Sequence, residues 1–185
     1  MERGEAGLSV AIGSGVRGRG AHMDSVGGVQ VGRKIVTQRR TITEGDFSAM
    51  VNLSWETSPL HTDQEYAKTT AFGQRILGGP CIIPFVAGLT GHAWHGMWEA
   101  AGTRLIALVG IEGVRFTAPL FPGDTIWVET EIKSLRPTSK PKRALMTVRD
   151  VLHKTGGQIV LEMERLILLQ EIDTQEAHKP EARNT

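Results

Sequence analysis

The sequence predicts an α+β domain in which a curved antiparallel sheet wraps around one long helix. Three observations support this class: an apolar segment with helical spacing, four later segments rich in Val, Ile, Leu and Thr, and short turns between those segments. Connections this short require antiparallel pairing, because a parallel return needs a crossover of about a dozen residues or more. A chain of 185 residues is expected to form one core rather than several domains.

The first folded stretch is expected to be a strand that leads into a short helix. Residues 34–42 carry β-branched side chains in a strand-like run. Thr43 is followed three positions later by Asp46, which is the pattern of a capping box at a helix start. The helix should therefore begin after Thr43 and end near Leu53.

A proline-containing loop should come next. Residues 55–61 read W-E-T-S-P-L-H, and no helix is expected to pass through them, since Pro59 lacks an amide donor and disfavours helical geometry at the preceding residue. Thr62 or Asp63 can then cap another short helix that runs through Ala67.

The long helix should follow a Gly-Gly-Pro sequence at positions 78–80, because proline fits the first turn of a helix. Between residues 81 and 98, apolar side chains recur at three- and four-residue spacings, at Ile82, Phe85, Val86, Leu89 and Ala93. This pattern predicts a mostly buried helix.

Four strands are expected in the second half, over residues 105–118, 125–135, 143–153 and 158–169. In the second of these, one set of side chains should face the core and the alternate set should face water, namely Ile126, Val128, Thr130 and Ile132 against Glu129, Glu131 and Lys133.

Two tails are expected outside the domain. Residues 1–30 are rich in glycine and lack a periodic apolar pattern, so they cannot bury enough surface to offset the entropy cost of ordering. Glycines within residues 13–18 have the G-x-G-x-x-G spacing of a dinucleotide site, but no helical pattern follows them, so this interpretation is not favoured. A single domain over 31–172 and a polar tail over 173–185 complete the predicted organisation.

The composition excludes several classes of partner. Lys and Arg number 21 against 20 Asp and Glu, a formal net charge of +1, so no large basic field favours nucleic acid. No apolar run approaches the roughly 20 residues of a membrane span, and no signal-peptide pattern is found. Cys81 is the sole cysteine, which excludes an internal disulfide and is typical of a reducing compartment. A cytoplasmic protein without membrane or nucleic-acid partners is therefore expected.

Glu56 and His61 are the main candidates for chemistry. A carboxylate and an imidazole are the groups most useful for moving protons near neutral pH. Five-residue spacing on a helix would place them about 140° apart, so they can converge only if the loop turns between them. For this pair taken alone, the ordinary interpretation is a solvated Glu56 and a His61 that caps or packs against the next helix.

Three segments, in this order, are similar to the MaoC-like dehydratase and (R)-specific enoyl-CoA hydratase family: P-L-H-T-D-Q-E-Y-A, F-G-Q-R-I-L-G-G-P and V-R-F-T-A-P-L-F-P-G-D-T. The resemblance extends over residues 31–170. It implies the hot-dog fold, in which an antiparallel sheet wraps one helix, and this agrees with the class predicted from periodicity.

The resemblance also implies a catalytic set. The family's loop reads G-D-x-N-P-L-H, so His61 and Pro59 match it, Glu56 occupies the aspartate position, and Ser58 replaces the asparagine. Glu is longer by one methylene, and a misplacement of about 1 Å can cost on the order of 100-fold in rate. Gly79 matches the glycine whose amide binds the thioester oxygen, a role that suits a helix N-terminus.

Substrate contacts follow from the same resemblance. Gly78 stands where the family usually has a histidine, and Ala87 stands where some hydratases have a serine. The implied substrate-binding residues are Trp55, Ser58, Gly78, Pro80 and Ala87. No metal and no separate cofactor are implied, because coenzyme A enters only as part of an acyl-CoA substrate.

The implied reaction is reversible hydration of an enoyl-CoA to a 3-hydroxyacyl-CoA. Glu56 would take a proton from water, His61 would orient that water, and the Gly79 amide would stabilise the thioester oxygen. Two other classes stay open. One is a hot-dog acyl-CoA thioesterase, in which the carboxylate activates water toward the thioester carbonyl, and the other is a non-catalytic acyl-thioester binding protein.

Other candidates are less specific. His92 and His95 lie three apart on the predicted helix, but a metal site needs at least one further ligand. Residues 136–143 carry four basic residues and two prolines, typical of an exposed turn, with steering of a phosphorylated carrier as the alternative. A sheet covered by one helix leaves an edge and apolar surface open, so a homodimer or higher homo-oligomer is expected.

Overall fold

The computed structural model describes residues 23–172 of the chain, the side chain of Glu99 aside. The helices are α1 (Glu44–Ser54), α2 (Pro59–Thr62), α3 (Gln64–Lys68) and α4 (Gly79–Ala100). The strands are β1 (Ser25–Val26), β2 (Val29–Gln30), β3 (Lys34–Val36), β4 (Arg40–Thr41), β5 (Thr103–Phe116), β6 (Thr125–Pro137), β7 (Arg143–Lys154) and β8 (Ile159–Glu171). The predicted α+β class, one long helix against an antiparallel sheet, is confirmed.

The main sheet has the strand order β3, β6, β7, β8, β5, and all neighbouring strands are antiparallel. The four long strands predicted from sequence are all present. The first predicted strand is instead two short ones, β3 and β4, which both pair with β6. The interruption begins at Thr37, whose hydroxyl accepts a hydrogen bond from the Val128 amide, a position that a backbone carbonyl would otherwise take.

The core lies between α4 and one face of the sheet. Val86 and Trp94 of α4 are buried against the apolar side chains of β6, β7 and β8. The predicted alternation along β6 is confirmed, since Val128 is buried and Glu129 is exposed. The sheet therefore has one apolar face under the helix and one face toward water.

The predicted capping box is present at the start of α1. The Thr43 hydroxyl accepts a hydrogen bond from the Asp46 amide, and the Asp46 carboxylate accepts one from the Thr43 amide. The hydroxyl and amide of Thr43, together with nearby Arg40, hold the pKa of the Asp46 carboxyl below its usual value. Of the two predicted caps for α3, the structure has Asp63, whose carboxylate accepts hydrogen bonds from the amides of Glu65 and Tyr66.

No helix passes through residues 55–61, as predicted, because α1 ends at Ser54, but the end of the segment is not a loop. Pro59 opens α2, a single helical turn that includes His61. Proline has a fixed φ suited to the first helical position, where its missing amide has no partner to lose. The same residue that argues against a helix through the loop therefore starts a new one.

The ordered domain begins earlier than the predicted residue 31. Strands β1 and β2 form a hairpin in which Val26 and Val29 are buried, packed with the cluster around Trp98. The turn between them needs Gly27, which has a φ of +53° and lies so close to Ala101 that a Cβ would be 2.5 Å from its carbonyl oxygen. The remainder of the predicted N-terminal tail, including the glycine motif at 13–18, and the predicted tail at 173–185 lie outside the described residues.

A membrane crossing demands length and apolar character together, and none of the helices of residues 23–172 has both.

Candidate active site

The site is built at the turn that follows α1. The helix ends at Trp55, which has a left-handed φ of 59°, and the chain then reverses into α2. This reversal supplies the turn that the five-residue spacing of Glu56 and His61 requires. The two side chains converge, with Glu56 Oε1 3.8 Å from His61 Nε2.

The tautomer of His61 is set by a backbone carbonyl. The imidazole is buried, and its Nδ1 lies 2.7 Å from the carbonyl oxygen of Ile76. A carbonyl oxygen can only accept, so Nδ1 carries the proton and donates. In the neutral ring, Nε2 then has a lone pair, and this atom faces Glu56.

The separation of the pair suits a shared water molecule better than a direct hydrogen bond. At 3.8 Å, Oε1 and Nε2 are beyond hydrogen-bonding distance of each other. A water about 2.8 Å from both atoms would be held at an angle of about 85° between them. Both groups accept, so the two protons of that water would point at the pair and an oxygen lone pair would stay available.

Two glycines bring the start of α4 against this pair. Gly78 is buried, and a Cβ there would lie 3.0 Å from Glu56 Cγ and 3.5 Å from His61 Nε2. At Gly79 a Cβ would lie 2.9 Å from the ring of Phe116. A side chain at Gly78 would therefore crowd the pair, and one at Gly79 would crowd Phe116, so glycine at both positions permits the close packing at the start of α4.

The Gly79 amide belongs to the first turn of a helix of 22 residues. The first four amides of a helix have no acceptor within the helix, and its dipole places partial positive charge there. This end of α4 can therefore stabilise negative charge on an oxygen atom next to the carboxylate and imidazole.

An apolar cleft of about 360 Å³ opens beside Gly79. It is lined by Phe72, Ile76, Leu77, Gly79, Ile82, Phe116, Thr117, Ala118 and Pro119. His61 lines a separate, more polar pocket of about 200 Å³ together with Arg75 and Asn52. The segment Ile76–Gly79 therefore has a cleft on one side and the imidazole, bonded to Ile76, on the other.

Residues that the sequence analysis did not single out hold this segment in place. The Leu77 amide donates to the Leu120 carbonyl at 2.9 Å. The loop that contains Leu120 is in turn fixed by Lys154, which is 5% exposed and donates to the Pro119 carbonyl and the Asp124 carboxylate. The available signal was a lysine at a core-facing position of β7, two residues after Leu152.

On the other flank, Arg75 ties the segment to α1. Its guanidinium donates to both carboxylate oxygens of Glu44 at 2.8 and 3.0 Å, and to Gln64. It also lies over the ring of Phe47, 5.1 Å from the centroid. Both sides of the Ile76–Gly79 segment are thus fixed to neighbouring elements.

The structure brings together four of the predicted site residues, Glu56, His61, Gly78 and Gly79. The other four lie on the surface: Trp55 is 85% exposed, and Ser58, Pro80 and Ala87 are also exposed. Ala87 is two turns along α4 from Gly79, about 12 Å away along the axis. The substrate contacts assigned to these four residues stay predictions.

His92 and His95 are exposed on α4. Within residues 23–172, no three side chains of His, Cys, Asp or Glu are grouped as metal ligands would be.

The remaining histidine and the cysteine have structural contacts. His153 lies on the face of the sheet that points away from α4 and stacks on Trp127, with ring centroids 5.5 Å apart. Cys81 is buried and donates to the Ser54 hydroxyl.

Comparison with protein families shows that residues 28–154 match the family described as the MaoC like domain. The chain is 37% identical over 117 residues to Protein MaoC of Klebsiella aerogenes, a match that covers 63% of this chain and 32% of that protein. It is 28% identical over 141 residues to the (R)-specific enoyl-CoA hydratase of Aeromonas caviae, covering 76% of this chain and 96% of the hydratase. The chain thus spans about a third of the first relative and nearly all of the second.

Comparison with solved structures finds the same family. A structure titled monoamine oxidase regulatory protein, from an Archaeoglobus species, aligns with a TM-score of 0.71 at 30% identity, over 78% of this chain and 93% of that one. The Aeromonas caviae (R)-hydratase aligns with a TM-score of 0.59 at 26% identity, over 78% of this chain and 98% of the hydratase. The predicted hot-dog arrangement is confirmed by these neighbours together with the observed packing of α4 on the sheet.

Proposed function

The chain belongs to the family of the MaoC-like domain, and from this membership we propose that it is a hydro-lyase that adds water reversibly to an enoyl-CoA thioester. The observation that carries the proposal is the placement of Glu56 Oε1 3.8 Å from an imidazole nitrogen whose tautomer leaves it free to accept. Relatives named as an (R)-specific enoyl-CoA hydratase and as a 3-hydroxybutyryl-CoA dehydratase support the reaction class.

In the hydration direction, the water held by Glu56 and His61 attacks C3 of the enoyl group. As the new C–O bond forms, the water proton passes to the Glu56 carboxylate, and negative charge moves to the thioester oxygen. The Gly79 amide donates a hydrogen bond to that oxygen and so stabilises the enolate. C2 then takes up the proton, His61 holding the geometry of the relay, and the carboxylate is regenerated. Dehydration follows the same steps in reverse.

The glycine at position 78 supports the proposal that glutamate serves here in place of aspartate. A Cβ at position 78 would be 3.0 Å from Glu56 Cγ, so the absence of a side chain at Gly78 leaves room for the longer acid. The longer acid and the bare position 78 are therefore mutually compatible.

The proposal is tested by incubating the protein with a set of trans-enoyl-CoA substrates that includes short, branched and dicarboxylic acyl groups. Loss of the enoyl absorbance with formation of a 3-hydroxyacyl-CoA, and without release of free thiol, is the expected result. Thiol release from acyl-CoA would instead identify a thioesterase. Tight binding of acyl-CoA with neither reaction would identify a binding protein.

We propose in addition that the protein works as a homo-oligomer. Strand β5 has no second neighbour among the described residues, and it carries several exposed apolar side chains.

A further inference from the structure

The core between α4 and the sheet is divided into two apolar clusters. One contains Val86, and the other contains Trp94, about two turns further along the helix. On each of the three middle strands, the core-facing residue between the two clusters is polar: Thr130 of β6 lies between Val128 and Ile132, Asp150 of β7 between Val148 and Leu152, and Arg165 of β8 between Met163 and Ile167. Thr130, Asp150 and Arg165 are 1%, 0% and 7% exposed, and together they form a polar layer that separates the clusters.

Two polar groups at this layer have no hydrogen-bond partner. Trp94 Nε1 and Thr130 Oγ1 are both buried, and neither is bonded to any of residues 23–172. By contrast, the Arg165 guanidinium donates to both carboxylate oxygens of Asp150, and the Thr90 hydroxyl on α4 donates to a carbonyl of its own helix at 2.7 Å. A buried polar group without a partner is rare and reduces stability. The indole and the hydroxyl therefore indicate a bound molecule.

Strand pairing and packing place both groups near the Asp150 carboxylate. Thr130 and Asp150 are directly opposite each other on β6 and β7, where Cβ atoms on one face are about 5 Å apart. Trp94 packs in the cluster that contains Val148, the next core-facing residue of β7, and successive residues on one face of a strand are about 7 Å apart. The indole ring is held by stacking on Trp98, with centroids 5.0 Å apart. The indole N–H, the hydroxyl and the carboxylate thus converge on one boundary of the core.

The chemistry of these groups selects the ligand. An indole N–H only donates, a carboxylate only accepts, and a hydroxyl does both. Each oxygen of Asp150 accepts one bond from Arg165, and a carboxylate has about four accepting positions, so some remain. The charges of Asp150 and Arg165 balance. A metal ion would face the indole N–H and an anion would face the carboxylate, whereas a neutral molecule that donates and accepts fits all three groups.

We infer that one water molecule is bound at the polar layer as a constant part of the fold. It accepts a hydrogen bond from Trp94 Nε1 and donates to the Asp150 carboxylate and the Thr130 hydroxyl, about three bonds being usual for a buried water. Through this water, the middle of α4 is bonded to β6 and β7. Sliding of the helix along the sheet would leave all three groups unpartnered, so the water fixes the register of α4, whose first turn contains Gly79.

A high-resolution crystal structure of the full chain tests the site directly. The expected result is an ordered water oxygen about 3 Å from Trp94 Nε1, from Thr130 Oγ1 and from the nearest Asp150 oxygen. A metal ion at this position, a direct hydrogen bond from the indole to a protein acceptor, or no molecule between the three groups would overturn the inference.

Nuclear magnetic resonance provides a measurement in solution. The chain has four tryptophans, so a ¹⁵N-labelled sample gives few indole signals, and Trp94→Phe identifies the one that belongs to Trp94. This signal should show a rotating-frame Overhauser cross-peak at the water frequency, with the sign of a nearby bound molecule rather than of proton exchange. A Trp94 signal without that cross-peak would contradict the inference.

Matched variants separate the water from general packing. Thr130→Val removes the hydroxyl and keeps the shape of the side chain, so it should weaken the water cross-peak and shift the Trp94 signal, because the water loses one of its partners. Thr130→Ser keeps the hydroxyl and should preserve both. Thr90→Val is the control, since that hydroxyl is bonded within its own helix, and it should change neither.

Equal changes in Thr130→Val and Thr90→Val, or no change in Thr130→Val, would show that the Thr130 hydroxyl does not hold a water. Circular dichroism verifies that the variants are folded, and the crystal structure and the Trp94 cross-peak of the unmodified chain decide the question if Thr130→Val is not. None of these measurements depends on the hydratase reaction, so this inference and the proposed function can fail separately.

Discussion

Two acid–base pairs in this protein have opposite surroundings. Asp150 and Arg165 lie on neighbouring strands on the core face of the sheet, are 0% and 7% exposed, and are joined by two hydrogen bonds from the guanidinium to both carboxylate oxygens. Glu56 and His61 lie at the turn from α1 into α2, 3.8 Å apart, with no hydrogen bond between them.

The two pairs differ in whether their hydrogen-bonding groups are available to a third molecule. Both carboxylate oxygens of Asp150 accept a hydrogen bond from Arg165, and both residues are buried, so this pair is closed to a substrate. The carboxylate of Glu56 and Nε2 of His61 both keep accepting positions that face each other. A buried pair with all its bonds made specifies the fold, whereas a pair held close but apart can act on a third molecule.

The largest effect on the reaction rate should come from removing either member of the Glu56–His61 pair. Glu56→Gln and His61→Ala should each lower the rate of enoyl-CoA hydration by about 10²–10⁴-fold, because general acid–base catalysis contributes on that scale. Steady-state kinetics on purified protein provide the measurement. Glu65→Gln removes an exposed carboxylate elsewhere and should keep full activity. Undiminished hydration in both site variants would place the chemistry on other residues.

Breaking the buried Asp150–Arg165 pair should instead reduce the stability of the fold. Asp150→Asn leaves the Arg165 charge buried without its counter-ion, which should lower the free energy of unfolding by about 3–5 kcal/mol. Urea denaturation measures this change. Activity per folded molecule should be preserved at low temperature.

A matched double variant sharpens the result. Asp150→Leu combined with Arg165→Met removes both charges, and it should be more stable than either single variant because no unpaired charge is left buried. Equal destabilisation by the single and double variants would show that the pair's charges are not what matters.

Crowding the Glu56–His61 pair should have an intermediate effect on the reaction rate. Gly78→Ala introduces a Cβ 3.0 Å from Glu56 Cγ, so the carboxylate must shift by a few tenths of an ångström. We expect a fall in kcat of about tenfold with a small change in Tm, since displacement of a reacting group is costly. Gly96→Ala, also on α4 but with nothing within 4 Å of the new Cβ, should leave kcat unchanged.

The smallest effect is expected at the exposed cap of α1, where Thr43 and Asp46 are hydrogen-bonded to each other. Thr43→Ala removes the cap of α1 and should cost about 1 kcal/mol of stability. Because the hydrogen bonds from Thr43 hold the pKa of folded Asp46 below its ordinary value, the stability contributed by this carboxylate is present above the unfolded pKa and is lost as pH falls through the folded pKa. Unfolding curves at pH 7 and pH 3 should therefore differ less for Thr43→Ala than for the unmodified protein. An unchanged pH dependence would rule out Asp46 as a source of it.

Much of this architecture could be predicted from local patterns. Alternation identified the long strands, three- and four-residue spacing identified α4, and the Thr43–Asp46 spacing identified the cap. Glu56 and His61 could be chosen because few residue types move protons near neutral pH. Each of these signals lies within a short window of sequence, which is why it could be read there.

Other features could not be predicted because their partners are distant in the chain. The Asp150–Arg165 pair is visible in sequence only as polar residues in otherwise apolar alternations. The hairpin over residues 25–30 was missed because its two valines are buried by Trp98, which lies about 70 residues later. Lys154 supports the site through a loop that ends at Asp124.

The sequence by itself determined the long helix α4 and the four long strands, which faces of them are apolar, and which residue types are capable of acid–base chemistry. The tertiary structure decided that Glu56 and His61 meet at 3.8 Å, that the Ile76 carbonyl fixes the imidazole tautomer, and that β5 has only β8 as a neighbour among the strands of residues 23–172. The physical reason is range. Periodicity and capping act within a few residues, whereas register and side-chain contact depend on how distant segments pack against one another.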